Sequence, residues 1–326
     1  MKITILGGAG YLGSIMTEHL LDEGHEVTVL DNLYYGQNTL FHFCANTNFD
    51  FVFGDVRNLE LVKETIKDSD FIIPLAAIVG APACDRVPDD AKSINYQSIV
   101  ELIKLRSPNQ KIIYPTTNSG YGTKSGETFC TEETPLEPIS LYGKTKVDAE
   151  KALLEAGNVI TLRLATVFET SPRMRVDLLV NDFVNKAVTD RYIVVFEKDF
   201  KRNYIHIRDV ARCFAHCIKN FDSMKNNAYN VGLDEANLSK EELVNKIKEY
   251  YPNFYIHFSE IGKDPDKRNY IVSNEKIMKT GFECKYDINS GIVELAKGFA
   301  IMQDNTFRNA AIKNAIKRLV VKGDKK

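Results

Sequence analysis

Apolar positions in the first half of the chain alternate between two rhythms. Residues 3–6 form a short unbroken apolar run stopped by glycine, and residues 11–21 repeat their apolar positions at helical spacing as far as Gly24. Residues 26–30, ending at Asp31, and residues 49–53 read as further strands, with a helix over 59–66. The run 71–77 is so apolar that it predicts a strand buried on both faces. Residues 94–105 then read as helix, 111–116 as strand, 141–155 as helix and 159–167 as strand. Such alternation predicts an α/β fold with a doubly wound parallel sheet. Right-handed crossovers and a glycine-rich first turn favour the strand order 3-2-1-4-5-6.

The second half is less regular. Its pattern predicts a helix over 177–188, a strand over 192–196, a helix over 210–218, extended chain over 229–231 and a helix over 240–250 behind a Ser239 cap. No Gly/Ser linker or internal repeat separates the halves, so two lobes should share one interface with a ligand cleft between them.

Composition narrows the partners. A net charge of -2 supplies no basic field for nucleic acid. No apolar run reaches membrane-spanning length, so no membrane partner is expected. Met1-Lys2 leads directly into the first strand, which leaves no room for a signal peptide and predicts a cytoplasmic protein. The six cysteines include no CxxC pair and read as reduced thiols. Cys213 and Cys217 sit four apart on a helix, where packing explains them better than a metal. Cys84 and Cys130 fall in loops bordering the expected pocket, as packing residues. No histidine spacing suggests a metal.

Gly7-Gly8-Ala9-Gly10-Tyr11-Leu12-Gly13 joins the first strand to the first helix. Glycines at Gly7, Gly10 and Gly13 permit a tight turn and let a pyrophosphate approach the main chain, while the free N–H groups at the helix start, from Tyr11 and Leu12 onward, hold the anion. Asp31 closes the second strand, where a carboxylate accepts from the adenosine 2′-hydroxyl and repels a 2′-phosphate. The expectation is a Rossmann-type domain selecting NAD. Asp55 should face the adenine, with Asn32 and Val56 beside these carboxylates.

Tyr142 and Lys146 are i and i+4 and share one helix face. The ammonium favours the phenolate of Tyr142 and can bond the nicotinamide ribose, and a phenolate is a competent base for a sugar hydroxyl. The preceding strand ends in Thr116-Thr117-Asn118-Ser119, which puts hydroxyls on the ligand side of the sheet.

These residues resemble the extended short-chain dehydrogenase/reductases, in the sugar-nucleotide epimerase/dehydratase branch, over nearly the whole chain to about residue 303. The resemblance implies a homodimer acting on a nucleotide sugar with NAD, and a triad of Thr117, Tyr142 and Lys146. It makes Leu75, Ala76 and Ala77 cofactor contacts. It makes Arg202, opening Arg202-Asn203-Tyr204-Ile205-His206-Ile207-Arg208-Asp209, a sugar-nucleotide ligand; His206 in that stretch reads as structural rather than catalytic. Arg268 would grip the diphosphate, Asn181 would lie near that phosphate, and Asn118 and Ser119 would border the sugar. The dimer contact would use helices 94–105 and 141–155, with Ile99, Leu102 and Ile103 as its apolar stripe. The implied domains are a dinucleotide-binding domain over 1–167 with a return segment at about 205–232, a smaller α/β substrate lobe over 168–204 and 233–303, and a basic tail over 304–326.

One departure narrows the reaction. Members that perform 4,6-dehydration carry an Asp-Glu pair directly after the Thr, whereas this chain has Asn118 and Ser119. Oxidation at C4 remains, alone or followed by re-reduction on the other face, that is, as a dehydrogenase or a 4-epimerase. A non-catalytic NAD sensor would have no use for the Tyr142 base. Pro115-Thr116-Thr117-Asn118-Ser119-Gly120-Tyr121-Gly122 and Ser171-Pro172-Arg173-Met174-Arg175 are similar to a subgroup of bacterial capsule-heptose dehydrogenases, which oxidise C4 of GDP-D-glycero-α-D-manno-heptose with tightly held NAD. Residue chemistry alone does not distinguish GDP from other nucleotides.

Overall fold

Short β-branched and aliphatic runs build a seven-stranded sheet in which every neighbouring pair is parallel. Its strands are β1 (Lys2–Leu6), β2 (Glu26–Asp31), β3 (Phe49–Phe53), β4 (Phe71–Pro74), β5 (Lys111–Thr117), β6 (Val159–Leu164) and β7 (Asn227–Val231). This computed structural model describes residues 1–123, 129–261 and 269–302. The spatial order β7-β6-β5-β4-β1-β2-β3 contains the expected six-strand order and adds β7 beside β6. The order reverses between β1 and β4, and a crevice opens past the carboxyl ends of those two strands.

Several boundaries differ from the pattern for identifiable reasons. The expected strand over 71–77 ends at Pro74, because the N–H groups of Leu75 and Ala76 both turn to the Leu6 carbonyl at 2.7 Å. The expected strand over 159–167 breaks at Ala165, whose N–H donates to Val231 at 2.9 Å. The chain then switches sheets, as Thr166–Phe168 pairs with Lys201–His206. The helix expected over 94–105 begins earlier, as Pro88–Lys92, and passes through a π turn at Ser93–Gln97 before Ser98–Leu105. Buried Asn95 in that π turn accepts from the Ile78 N–H at 2.8 Å and donates to the Ile78 carbonyl at 2.9 Å, fixing the segment after β4 against the helix.

Beyond the switch, a three-stranded sheet of Asn237–Ser239, Lys201–His206 and Thr166–Phe168 carries helices Leu179–Thr189, Lys240–Tyr250 and Ile288–Met302. Their apolar faces meet in a second core that includes Phe183, Leu243 and Leu295. Helix Lys240–Tyr250 starts at Ser239 as expected, with a reciprocal cap between Ser239 and Glu242. Helix Ile207–Lys219 returns the chain to the first lobe and puts Cys213 and Cys217 in its core.

One expected surface is corrected. Ile99 and Leu102 are 3% and 1% exposed and pack against this chain's own sheet, with Ile103 partly buried beside them. They cannot form the stripe that meets a second subunit. Among the described residues, no helix is long and apolar enough to cross a membrane.

Candidate active site

The crevice holds a cavity of about 720 Å³, lined from Gly10 and Asp31 to Thr117, Tyr142 and Arg202. At one end lies the glycine turn. Gly7 has a φ of +92°, and a Cβ there would lie 2.4 Å from the Ala76 nitrogen, so β1 and the segment after β4 can approach only through glycine. Gly10 caps helix Tyr11–Asp22 without a side-chain bond, and the nearest atom to a Cβ built there is 3.6 Å away. A diphosphate can therefore reach the N–H groups of the first helical turn, and the residues present fit a dinucleotide.

Asp31 does more than the sequence suggests. Its carboxylate accepts from the Ala9 N–H at 2.9 Å and the Leu33 N–H at 2.8 Å, bracing the glycine turn against the end of β2. Burial pushes its carboxyl above the ordinary value, against these two hydrogen bonds. A carboxylate has about four acceptor sites, so capacity remains for ribose hydroxyls. Asp55 lines the cavity too, but its oxygens already accept from Arg57 at 2.8 and 2.9 Å and from Asn32 at 3.1 Å. Those Arg57 bonds hold its carboxyl down at about 2. Asn32, Val56, Leu75, Ala76 and Ala77 also line the wall. Tyr11 lines it while donating its hydroxyl to the Glu169 carbonyl at 2.7 Å, which ties the first helix to the second lobe.

At the other end, helix Leu141–Ala156 presents Tyr142 and Lys146 to the cavity. Ser140 caps this helix at the Gly143 N–H, which fixes where its first turn begins. Lys146 is buried, with Nζ 3.8 Å from the Tyr114 ring centroid. Burial pulls its ammonium down to about 7, and Glu150 opposes that shift. Thr117, the last residue of β5, donates to the Ser119 hydroxyl at 2.9 Å and accepts from the Ser119 N–H at 3.1 Å. Thr117 and Ser119 line the cavity, whereas the Asn118 amide is buried behind them and has no partner among the described residues.

Arg202 lines the cavity from strand Lys201–His206 and is 3% exposed. Asn181 does not line it. Its side chain accepts from the Glu169 N–H at 3.0 Å and donates to the Arg175 carbonyl at 2.8 Å, so it fastens the chain after Thr166–Phe168 to helix Leu179–Thr189. Arg268 and the tail 304–326 lie outside the described residues.

The model of the NAD dependent epimerase/dehydratase family matches residues 3–232. The chain belongs to this family. It is an NAD-dependent enzyme of the type that acts on nucleotide sugars. It is 27% identical over 303 residues to the low-salt glycan biosynthesis protein Agl12 of Haloferax volcanii, covering 90% of this chain and 96% of that one. It is 26% identical over 342 residues to a CDP-paratose 2-epimerase of Salmonella typhi, covering 90% and 100%. Among solved structures, the UDP-glucuronic acid 4-epimerase of Bacillus cereus in complex with UDP-glucuronic acid and NAD shares the fold, with a TM-score of 0.81 at 20% identity over 93% of this chain and 100% of that one. The dTDP-glucose 4,6-dehydratase of Bacillus anthracis in complex with NAD has a TM-score of 0.80 at 23% identity, covering 94% and 98%.

Within this family member, two features escaped the sequence reading. Arg173 and Tyr35 both line the cavity, and the guanidinium carbon stacks 3.5 Å from the Tyr35 ring centroid. The only hint was the unusual run Ser171–Arg175 itself, which no residue spacing ties to a cofactor. The second feature is a buried cluster at His206, whose Nε2 lies 3.4 Å from Glu169 and 3.5 Å from Glu294. His206 Nδ1 accepts from the Arg208 N–H at 3.1 Å, capping helix Ile207–Lys219. That bond puts the imidazole proton on Nε2, so the ring faces the carboxylates as a donor and offers no second lone pair to a metal.

Proposed function

We propose that the protein oxidises C4 of a nucleotide sugar, with GDP-D-glycero-α-D-manno-heptose as substrate, in cytoplasmic synthesis of capsule or surface polysaccharide. The observation that carries the reaction is the pair after Thr117. Asn118 and Ser119 offer an amide and a hydroxyl, and Ser119 is hydrogen-bonded to Thr117 itself. Removing water from a sugar needs an acid and a base beyond the tyrosine, and neither residue titrates usefully. Tyr142 takes the C4 hydroxyl proton, Thr117 shares the hydrogen bond to that oxygen, and Lys146 orients the cofactor ribose and favours the phenolate. The nicotinamide, when bound, supplies the hydride acceptor. Arg202 binds the nucleotide sugar from the second lobe, and Arg268 is assigned to its diphosphate by family resemblance. The choice of GDP-heptose rests on the resemblance around residues 115–122 and 171–175.

The second reading is a 4-epimerase, favoured by the 4-epimerases among the similar proteins. It needs the same Thr117, Tyr142 and Lys146, and differs only in whether the 4-keto sugar turns over before it is reduced again. Nuclear magnetic resonance of a reaction with GDP-heptose and no added oxidant separates the two. The expected result is 4-keto sugar up to the enzyme concentration, together with the absorbance of a reduced nicotinamide. A C4-inverted GDP sugar in large excess over enzyme would establish the epimerase and refute the dehydrogenase.

A further inference from the structure

Arg173 is a buried cation with no ion-pair partner among the described residues. It is 7% exposed and lines the cavity, and among the described residues its Nε has no hydrogen-bond partner. Among the described residues, no carboxylate lies within ion-pair distance of its guanidinium. Its neighbour Arg175 differs in this respect, because it is paired with Asp177. Burial depresses the Arg173 guanidinium to about 10, only partly offset by Tyr35 and by the more distant Asp177 and Asp31. Removing an unpaired charge from water is costly, and proteins keep such a group where something else neutralises it.

We propose that Arg173 is the cation that holds the diphosphate of the bound dinucleotide, delivered to the glycine turn of the first lobe by a segment of the second. Its surroundings identify the ligand. Tyr35, on which it stacks, belongs to the loop after β2, and Asp31, whose charge it feels, braces the glycine turn. The segment that carries it is pinned to the same turn. Ser171 Oγ donates to the Tyr11 carbonyl at 2.7 Å and lies 3.1 Å from Ser14 Oγ, both in the first helix. Charge balance points the same way. A helix N-terminus supplies only roughly half a positive charge, while Asp31 puts a carboxylate on that turn. A dinucleotide diphosphate brings two negative charges, so the turn alone leaves it under-neutralised. The nucleotide-sugar diphosphate is a less suitable ligand, because Arg202 faces the cavity from a different strand. Stacking on Tyr35 holds the guanidinium in place before the cofactor arrives, which lowers the entropy lost on binding.

This inference rests on NAD binding and is independent of which sugar is oxidised. The test measures how fast the full-length holoenzyme exchanges bound NAD for isotopically labelled NAD, and how well ADP and adenosine compete for rebinding. Arg173→Gln should speed exchange and weaken competition by ADP on the order of 10- to 100-fold, the loss of a charge-assisted hydrogen bond. Competition by adenosine should be unchanged, and Arg173→Lys should fall between the two. Unchanged exchange in Arg173→Gln would overturn the proposal. Equal weakening of ADP and adenosine would overturn it too, because the pocket would then have lost its shape rather than a phosphate contact. Weakening confined to NADP would assign the arginine to a 2′-phosphate and end the proposal as stated. If Arg173→Gln does not fold, Arg173→Lys carries the same comparison, and ADP must still weaken more than adenosine.

Discussion

Tyr142 and Lys146 stand one helical turn apart, yet the fold treats them differently. Tyr142 is half-buried at the cavity wall, while Lys146 is enclosed against Tyr114 with its ammonium drawn down to about 7 by burial. Burial works against the charge of this lysine and Glu150, one turn further along the helix, works for it. In the proposed reaction the tyrosine is the group whose proton transfer occurs in the transition state. Tyr142→Phe should therefore lower kcat by roughly 10²-fold or more while leaving nucleotide-sugar affinity nearly unchanged. Retention of more than about a tenth of wild-type kcat would rule out a general-base contribution of that size. The hydroxyl-bearing strand end at Thr116–Thr117 and the helix face of Tyr142 were both legible in the sequence, because strand end and helix face follow from periodicity, and family resemblance singled out Thr117. The enclosure of Lys146 was not, since Tyr114 reaches it from another element only through folding, whereas Glu150 lies one turn further along the same helix.

The element that most changed its meaning is the chain between Thr166–Phe168 and helix Leu179–Thr189. Sequence resemblance placed Asn181 near a substrate phosphate. In the fold its amide is occupied by the backbone at Glu169 and Arg175, which holds the Arg173 segment against the first helix. The two readings separate experimentally. Removing the amide leaves buried backbone groups unpaired, so Asn181→Ala should cost about 1–3 kcal/mol of stability, read as a lower denaturation midpoint with an unchanged slope. A variant of native stability whose nucleotide-sugar affinity alone falls would instead return Asn181 to the ligand. The break at Ala165 has the same character. Residues 159–167 look like one strand because their apolar pattern is continuous, and only the Val231 carbonyl accepting from Ala165 shows where the chain leaves one sheet for the other.

On the scale of the whole molecule, two cores sit on either side of a cleft, and the chain crosses between them at residue 165 and again through Lys201–His206 into helix Ile207–Lys219. A second subunit remains the expectation from family resemblance, but its contact cannot use Ile99 and Leu102, which serve the internal core. Leu102→Ala should destabilise the fold by about 2–5 kcal/mol through a core cavity, equally at high and low protein concentration, with the mass in light scattering unchanged. A concentration-dependent loss, or conversion of a dimer to a monomer, would put Leu102 back at an interface. The strand order, the phosphate turn, Asp31 at the end of its strand and the shared helix face of Tyr142 and Lys146 were all legible from local features, while the choice of Thr117 came from family resemblance. Periodicity fixes which residues can face a sheet or a ligand, and glycines mark where the backbone must turn sharply. Tertiary structure alone decided three other things: that Arg173 from one lobe stacks on Tyr35 of the other, that Asn181 is a fastener, and that the stripe on 98–105 points inward. Each depends on contacts between segments far apart in the chain, and no short-range pattern encodes which of two apolar faces finds a partner or which buried charge is left for a ligand to neutralise.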